Sequence, residues 1–249
     1  MKAHIIIHES FEAPASIEDW CKNNNVGVSF TRLYAGNSFP QNVDKFDYLF
    51  IMGGPQSPET TTTESPHFDS KAEIEFISKA INQNKFVLGV CLGAQLIGEA
   101  LGAKFEHSPN REIGVFDINL TADGKKDTIF SKFPDTFPVG HWHGDMPGLT
   151  KESKILAFSK GCPRQIVRYL PKVYGFQCHF EFTPNAIEGM IQNSKEELEQ
   201  YKSLPFVESV EKLRVHNYEP INEFLFIFLD YMKSIFDNES KIKTLKVSY

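Results

Sequence analysis

The sequence predicts an α/β protein with a mostly parallel central sheet, helices on both faces, a small antiparallel excursion and C-terminal helices. Two observations indicate this fold class. Over the first hundred residues, short apolar segments typical of buried strands alternate with segments whose apolar residues recur at helical spacing. Beyond about residue 114 the strands shorten and turn signals separate them. We expect a single domain over residues 1–249, with a core of about 1–184 and a helical extension over about 185–249.

The first hundred residues are predicted to hold four strands and three helices. Ser16 is a suitable N-cap for a helix that ends at Asn23, and Asp69 or Ser70 begins a helix that ends near Asn82. The predicted strands are residues 3–7, 26–33, 46–52 and 86–90, and a third helix covers 92–100. This order implies parallel strands, whose carboxyl ends share the edge of the sheet where reactive groups collect.

The second half of the chain is predicted to leave the parallel sheet and return to it. Its expected strands are residues 115–120, 154–159, 165–169 and 172–178. After Thr183 and Pro184 the chain is expected to be mostly helical. The aromatic residues of segment 221–236 favour a helix packed on the body of the protein, with a homodimer face as the alternative. Residues 241–249 are expected to be loosely ordered.

Composition excludes several classes of protein. The net charge is −6 and no basic stripe is present, which argues against a nucleic-acid binder. The longest apolar runs, residues 86–90 and 224–229, are too short to span a membrane, and the first residues lack a signal-peptide pattern. The four cysteines are irregularly spaced with no CxxC motif, so we expect free thiols and a cytoplasmic location.

The segment 89–95 carries the strongest functional signal. Cys91 lies where a predicted strand meets a predicted helix, and Gly89 and Gly93 flank it two residues away on each side. This is the pattern of a nucleophile elbow with cysteine in place of serine. The helix N-terminus would favour the thiolate form of Cys91. A buried structural cysteine at a strand end is the alternative interpretation.

A base and an orienting group for this cysteine are predicted in segment 176–181. On a strand, His179 and Glu181 would project from one face, while Cys178 and Phe180 would face the other way. Glu181 could then orient the ring of His179, which could take the proton of the Cys91 thiol. Without the cysteine motif, the same two residues would be read as a surface ion pair.

Two backbone amides are candidates for an oxyanion hole. The amide of Leu92, the residue after the nucleophile, is the first. Gly54, within the Gly53–Gly54–Pro55 turn that follows a predicted strand, is the second. An ordinary strand-ending turn is the alternative interpretation of these glycines.

In order and spacing, these motifs resemble those of the class I glutamine amidotransferases, whose fold is flavodoxin-like. The chain is most similar to stand-alone members akin to the glutaminase domain of GMP synthase, and segments 111–114 and 141–145 match further parts of that subgroup. The resemblance covers roughly residues 1–184. One position departs from the family pattern, which usually has proline where this chain has Phe180. Proline would fix the backbone there, so altered geometry beside His179 is expected.

The resemblance implies a reaction and a set of residues for it. Cys91 would attack the γ-amide carbon of glutamine or another γ-glutamyl compound, and the Gly54 and Leu92 amides would hold the oxyanion. His179 would protonate the departing ammonia or amine, and water would then hydrolyse the thioester. The resemblance also implies substrate contacts from five residues, the last three in a loop: Gly53, Gln95, His143, Gly144 and Asp145.

Three functions remain open from the sequence. The first is a glutaminase that passes ammonia to a separate synthase subunit, since the sequence contains no ATP-binding synthase module. The second is a γ-glutamyl peptidase or hydrolase that acts alone, and the third is a catalytically weak binding or regulatory protein. No cofactor or metal site is predicted, because the spacing of the four candidate histidines matches no metal motif: His107, His141, His143 and His179.

Overall fold

The computed structural model describes residues 1–247, with side chains as far as Glu239. The strands are β1 (Lys2–Ile7), β2 (Gly27–Arg32), β3 (Tyr48–Ile51), β4 (Phe86–Val90), β5 (Glu106–Leu120), β6 (Thr136–Met146), β7 (Lys154–Ser159), β8 (Ile166–Leu170) and β9 (Val173–Phe176). The helices are α1 (Ser16–Asn23), α2 (Ser70–Asn82), α3 (Leu92–Ala100), α4 (Pro184–Asn193), α5 (Lys195–Tyr201), α6 (Val210–Val215) and α7 (Glu219–Val247).

The strands form one mixed sheet in the order β2-β1-β3-β4-β9-β8-β7-β5-β6. β2, β1, β3, β4 and β9 pair in parallel, and the remaining pairings are antiparallel. The chain therefore leaves the parallel part of the sheet after α3, forms the antiparallel part, and returns through β9, which lies beside β4. This confirms the α/β fold. The antiparallel part has four strand pairings, as many as the parallel part.

Helices cover the parallel strands on both faces because those strands are apolar on both sides. On one face, α2 and α3 pack through residues such as Phe76 and Leu96. On the other, α1 and α7 pack through residues such as Trp20 and Phe228. The ring of Phe228 lies 4.9 Å from that of Phe176 in β9, which confirms that the aromatic segment of α7 packs on the body of the protein.

Three local predictions were wrong. Residues 143–145 do not form a loop but belong to β6, which pairs with β5. β9 ends at Phe176, so His179 and Glu181 lie beyond the strand. The N-cap of α1 is Ala15, with φ 43°, and Ser16 is the first helical residue. By contrast, Asp69 caps α2 as predicted, since its side chain accepts a hydrogen bond from the amide of Ala72.

The carboxyl-terminal helix α7 is longer than the sequence suggested. It continues to Val247, through most of the segment that was expected to be loosely ordered, and Ser248 and Tyr249 lie outside the described residues. Among the described helices, none combines the length and the apolarity that crossing a membrane requires.

Candidate active site

Cys91 occupies a strained joint between β4 and α3. Its backbone has φ 52° and ψ −109°, a region that residues other than glycine rarely adopt. The Cys91 amide donates to the carbonyl of Phe176 at 2.7 Å, and the Cys91 carbonyl accepts from the amides of Ala94 and Gln95. These hydrogen bonds tie the joint to β9 on one side and to α3 on the other.

The two glycines around Cys91 allow the strand and the helix to approach each other closely. A Cβ at Gly89 would lie 2.2 Å from the carbonyl oxygen of Gly93. A Cβ at Gly93 would lie 2.2 Å from the carbonyl oxygen of Ile51 in β3. Both contacts are with backbone atoms, so neither position can hold a side chain without moving the elbow.

His179 and Glu181 lie together although they are not on a strand. Nδ1 of His179 donates to Oε1 of Glu181 at 2.7 Å, and both side chains are buried. The imidazole stacks on the ring of Phe182 at 4.1 Å, and the His179 backbone makes a two-way bridge with Gly140. Nε2 of His179 has no hydrogen-bond partner within the described residues, so it is free to exchange a proton.

Cys91 and His179 affect each other's pKa. Burial acts to lower the pKa of His179, but the charge of Glu181 and the contact with Cys91 raise it to about 10. Burial raises the pKa of the Cys91 thiol, whereas His179 and the Leu92 amide act to lower it. The thiol donates to the carbonyl of Trp142 at 3.6 Å. The ring of His179 therefore holds a proton at neutral pH, beside the protonated Cys91 thiol.

The two predicted oxyanion residues lie close together, since a Cβ at Gly54 would lie 2.9 Å from Cδ2 of Leu92. Leu92 begins α3, and its amide acts to lower the pKa of the Cys91 thiol. The Gly53 carbonyl accepts a hydrogen bond from Nδ1 of His8 at 2.8 Å, and Gly54 faces the cavity that contains Cys91. The two glycines follow β3 at the carboxyl edge of the sheet, as the sequence predicted.

A cavity of about 710 Å³ opens above the elbow. The structure brings six of the predicted site residues to its wall: Gly54, Cys91, Gln95, His143, Gly144 and Asp145. The imidazole of His143, however, is directed at Glu112 and is only 1% exposed. The carboxylate of Asp145 accepts from His107 at 2.7 Å. Gly53, Leu92, His179 and Glu181 lie behind this wall.

The family model for glutamine amidotransferase class-I matches residues 16–196. The chain belongs to the class I glutamine amidotransferase family. It is 49% identical over 230 residues to the glutamine amidotransferase-like protein YfeJ of Salmonella typhimurium, which covers 92% of this chain and 96% of that protein. The structure of SMU.1228c superposes with a TM-score of 0.91 at 45% identity, covering 94% of this chain and all of that one.

The chain is also similar to GMP synthases, as the sequence motifs suggested. It is 35% identical over 98 residues to the glutamine-hydrolysing GMP synthase of Borreliella burgdorferi. That match covers 39% of this chain and 19% of the synthase, so the matched segment makes up about a fifth of that enzyme.

Sequence reasoning missed Glu12, a buried carboxyl group on the cavity wall of this amidotransferase. Glu12 and Cys91 both lie close to Gly53. A Cβ added at Gly53 would lie 2.7 Å from Oε2 of Glu12 and 3.5 Å from Cβ of Cys91. Burial raises the pKa of Glu12 to about 7, an effect that the charge of His179 opposes. The position was detectable in principle, because Glu12 follows β1 at the carboxyl edge of the sheet.

The outer wall of the cavity was also missed. Arg111 of β5 pairs with Glu197 of α5 and lies 4.2 Å from the ring centre of Tyr201. Nε1 of Trp142 donates to the same Glu197 at 2.9 Å. No local pattern could have found this wall, because α5 meets β5 and β6 only in the folded protein.

Of the four candidate histidines, His141 and His143 approach Glu112, and their nearest ligand-type atoms lie within 4.8 Å of one another. Hydrogen bonds already occupy this carboxylate. Ser159 donates to it at 2.7 Å and Gln165 at 2.6 Å, and Nε2 of His143 lies 3.2 Å away. A hydrogen-bonded polar cluster therefore explains the arrangement.

Proposed function

We propose that this amidotransferase hydrolyses the γ-glutamyl amide bond of glutamine or a related compound through a Cys91 thioester. The supporting observation is a strained cysteine on one cavity, together with a hydrogen-bonded His179–Glu181 pair in which His179 acts to lower the pKa of that cysteine. Backbone strain at a reactive residue persists only where the surrounding structure holds it. Here hydrogen bonds to β9 and within α3 hold the backbone of Cys91.

Acylation begins when the protonated Cys91–His179 pair loses one proton, which leaves a thiolate at Cys91 and a proton on Nε2 of His179. Glu181 stabilises the resulting imidazolium through the Nδ1 hydrogen bond. The thiolate attacks the γ-carbonyl carbon, and the carbonyl oxygen becomes an oxyanion that the Leu92 and Gly54 amides receive. When the C–N bond breaks, His179 returns its proton to the leaving nitrogen, which departs as ammonia or an amine.

Deacylation repeats these steps with water as the nucleophile. His179 takes a proton from water as the oxygen attacks the thioester carbon, and a second oxyanion forms in the same place. Its collapse releases glutamate and restores the Cys91 thiol with the proton from His179. We assign the binding of the γ-glutamyl group to the wall formed by Gln95, Gly144 and Asp145, with the backbone of His143 beside them and Gly53 behind them.

The size of the cavity favours a second form of this function. A volume of about 710 Å³ lies within the range of pockets that hold drug-sized ligands, and glutamine is smaller than such ligands. A γ-glutamyl peptide or conjugate would use the additional space near Arg111 and Tyr201. The alternative, suggested by the GMP synthase relatives, is a synthase subunit that covers this opening and receives the ammonia.

A turnover assay with the purified chain tests the proposal. Glutamine and γ-glutamyl dipeptides are supplied, and glutamate release is measured for the wild type, Cys91→Ala and Cys178→Ala. We expect Cys91→Ala to lose at least a thousandfold in kcat. Cys178→Ala is the matched control, because this buried thiol adjoins His179 but donates to the Gln165 carbonyl.

The control should retain nearly all activity when rates are compared per folded molecule. Equal glutamate release by the wild type and Cys91→Ala would contradict the catalytic assignment. In that case the binding or regulatory function would be the better interpretation of the site.

A further inference from the structure

A second histidine–carboxylate pair lies behind the oxyanion residues. His8 follows β1 and Glu73 lies in the first turn of α2, and both side chains are fully buried. Nε2 of His8 lies 3.1 Å from both carboxylate oxygens of Glu73, and Nδ1 lies 2.8 Å from the Gly53 carbonyl oxygen. The proposed reaction gives this pair no chemical step.

The neighbours of His8 determine its protonation. A carbonyl oxygen and a carboxylate can only accept hydrogen bonds, so both ring nitrogens of His8 must carry protons. Burial acts to lower the pKa of His8, but the charge and hydrogen bond of Glu73 raise it overall. The result is a buried imidazolium–carboxylate pair, and the Glu73 carboxylate also benefits from its place at the N-terminus of α2.

The pair fixes one peptide plane. The described peptide bonds are all trans, so the carbonyl of Gly53 and the amide of Gly54 point in opposite directions. Because the Gly53 carbonyl points inward at His8, the Gly54 amide points away from His8. Gly54 faces the cavity, and Gly53 adjoins Cys91 on that side.

Flipping this peptide would be costly. It would turn the Gly54 amide inward, toward the protonated ring, and leave the Nδ1 proton of His8 without an acceptor. Glycines have the freedom to flip because no Cβ restricts their backbone. A buried ion pair adds little net stability compared with apolar residues of similar size, so stability does not account for this pair, whereas an orienting role does.

We propose that the His8–Glu73 pair holds the Gly53–Gly54 peptide in the orientation that completes the oxyanion hole in the isolated chain. His8 and Glu73 are thus positioning residues that act through the Gly54 amide. This inference rests on the proposed function and extends it: γ-glutamyl hydrolysis requires no partner subunit to form the site.

The test compares two rates in the isolated full-length chain. The first is kcat for γ-glutamyl p-nitroanilide, a reaction that passes through an oxyanion. The second is alkylation of Cys91 by iodoacetamide, located by mass spectrometry, in which the sulfur displaces iodide and no oxyanion forms. A loss confined to the first rate reports the oxyanion hole rather than the state of the cysteine.

The key variant is the double replacement His8→Phe/Glu73→Met, which removes both charges together and keeps the volumes similar, so the fold should persist. We expect kcat to fall by about 10²–10³, the cost of losing one oxyanion donor, with little change in KM or in alkylation. Glu73→Gln should keep kcat within about tenfold of wild type, because a neutral His8 still donates from Nδ1 to Gly53.

His4→Phe is the matched control. This second buried histidine lies in β1 and contacts the hydroxyls of Ser29 and Thr31 rather than Gly53. Its kcat per folded molecule should equal that of the wild type. An unchanged kcat in the double variant, or an equal loss in both rates, would overturn the positioning role.

Two measurements on the wild-type protein, turnover and protection of Cys91 from alkylation, distinguish failure of this inference from failure of the proposed function. Absence of turnover together with protection of Cys91 from iodoacetamide by glutamine would leave the substrate site standing and refute a preformed oxyanion hole. Absence of both turnover and protection would refute the proposed function itself.

Discussion

Cys91 combines an unfavourable backbone conformation with a reactive side chain. A positive φ at a residue other than glycine costs on the order of 1–3 kcal/mol. The hydrogen bond from its amide to Phe176 and the close packing of Gly89 on Gly93 hold the residue in this conformation. The sequence pattern around Cys91 is thus explained by backbone contacts, since a side chain at either glycine would collide with main-chain atoms.

Phe180 explains how the chain departs from its family beside the base. Its ring is 2% exposed and packs 5.1 Å from Phe176 and 6.2 Å from Phe137. Removing a buried aromatic ring costs about 3–5 kcal/mol, so Phe180 contributes core packing that proline could not supply. His179 and Glu181 keep their contact although proline is absent.

Glu12 gives the first prediction at the residue scale. Its pKa rises from an ordinary value of 4.5 to about 7 in the folded protein, mainly because of burial. The unfolded chain therefore releases this proton at lower pH than the folded chain does. Folding stability falls as pH rises from 4.5 to about 7, by about 3 kcal/mol at 1.36 kcal/mol per pKa unit.

Glu12→Gln removes this cost. Urea unfolding should show the variant to be more stable than wild type by about 3 kcal/mol at pH 8, with no such gain at pH 4.5. Glu18→Gln is the control, because Glu18 is exposed on α1 and its replacement should have little effect at either pH. The same gain for Glu12→Gln at both pH values would contradict an origin in ionisation.

At the scale of elements, α1 and α7 hold the segment that carries the base. The amide of Ser16 at the start of α1 donates to the Glu181 carbonyl at 3.2 Å. Nδ2 of Asn222 in α7 donates to the carbonyls of Phe180 at 2.7 Å and Phe182 at 3.0 Å. The carboxyl-terminal helix therefore fixes backbone on both sides of Glu181, outside any strand.

Asn222→Ala should weaken both stability and turnover. Two buried carbonyls would lose their donor, which costs about 1–3 kcal/mol for each unsatisfied group. We expect kcat to fall by about ten- to a hundredfold, because small displacements of a catalytic base are costly. Thermal unfolding and glutamate release measure the two effects. Glu223→Ala, on the exposed face of α7, should leave both unchanged, and unaltered kcat in Asn222→Ala would refute the positioning of the base by α7.

The elements that could be predicted were those with a local signal. The bounds of β4 and α3 are those predicted, because an apolar strand, a glycine turn and a small-residue helix follow directly in sequence. β6 was missed, since its histidines, glycines and Asp145 lack the alternation of a strand. Those polar residues are accommodated by antiparallel pairing with β5, the preceding strand.

The proximity of His179 and Glu181 was predicted for the wrong reason. Alternation along a strand would place the two side chains on one face, but β9 ends three residues before His179. Gly140, Phe182 and Asn222 hold the pair instead. Glu12 and Glu197 were missed because their relation to Cys91 exists only in the tertiary structure.

At the scale of the whole molecule, the protein buries titratable groups with opposite pKa shifts. Burial lowers the pKa of His4 to about 4 and that of His141 to about 3. His8 and His179 have pKa values above the ordinary 6.5, since Glu73 and Glu181 overcome the effect of burial. His4 and His141 therefore destabilise the folded protein at low pH, where they become charged. His8 and His179 destabilise it at high pH, where they become neutral.

These shifts predict maximal stability near pH 6.5. Between pH 4.5 and 6.5 the unfolded chain binds one proton at His4 and one at His141 that the folded chain lacks. In the same window the folded chain holds one proton at Glu12 that the unfolded chain lacks, so the net difference is one proton. Stability should therefore rise by about 1.4 kcal/mol per pH unit in this window. Above pH 6.5 the folded chain retains protons at His8 and His179 that the unfolded chain has lost, so stability falls as pH increases toward about 10. Urea unfolding at half-unit intervals from pH 5 to 9 measures the curve. A steady rise through pH 9 would show that these two imidazolium–carboxylate pairs are absent from the folded protein.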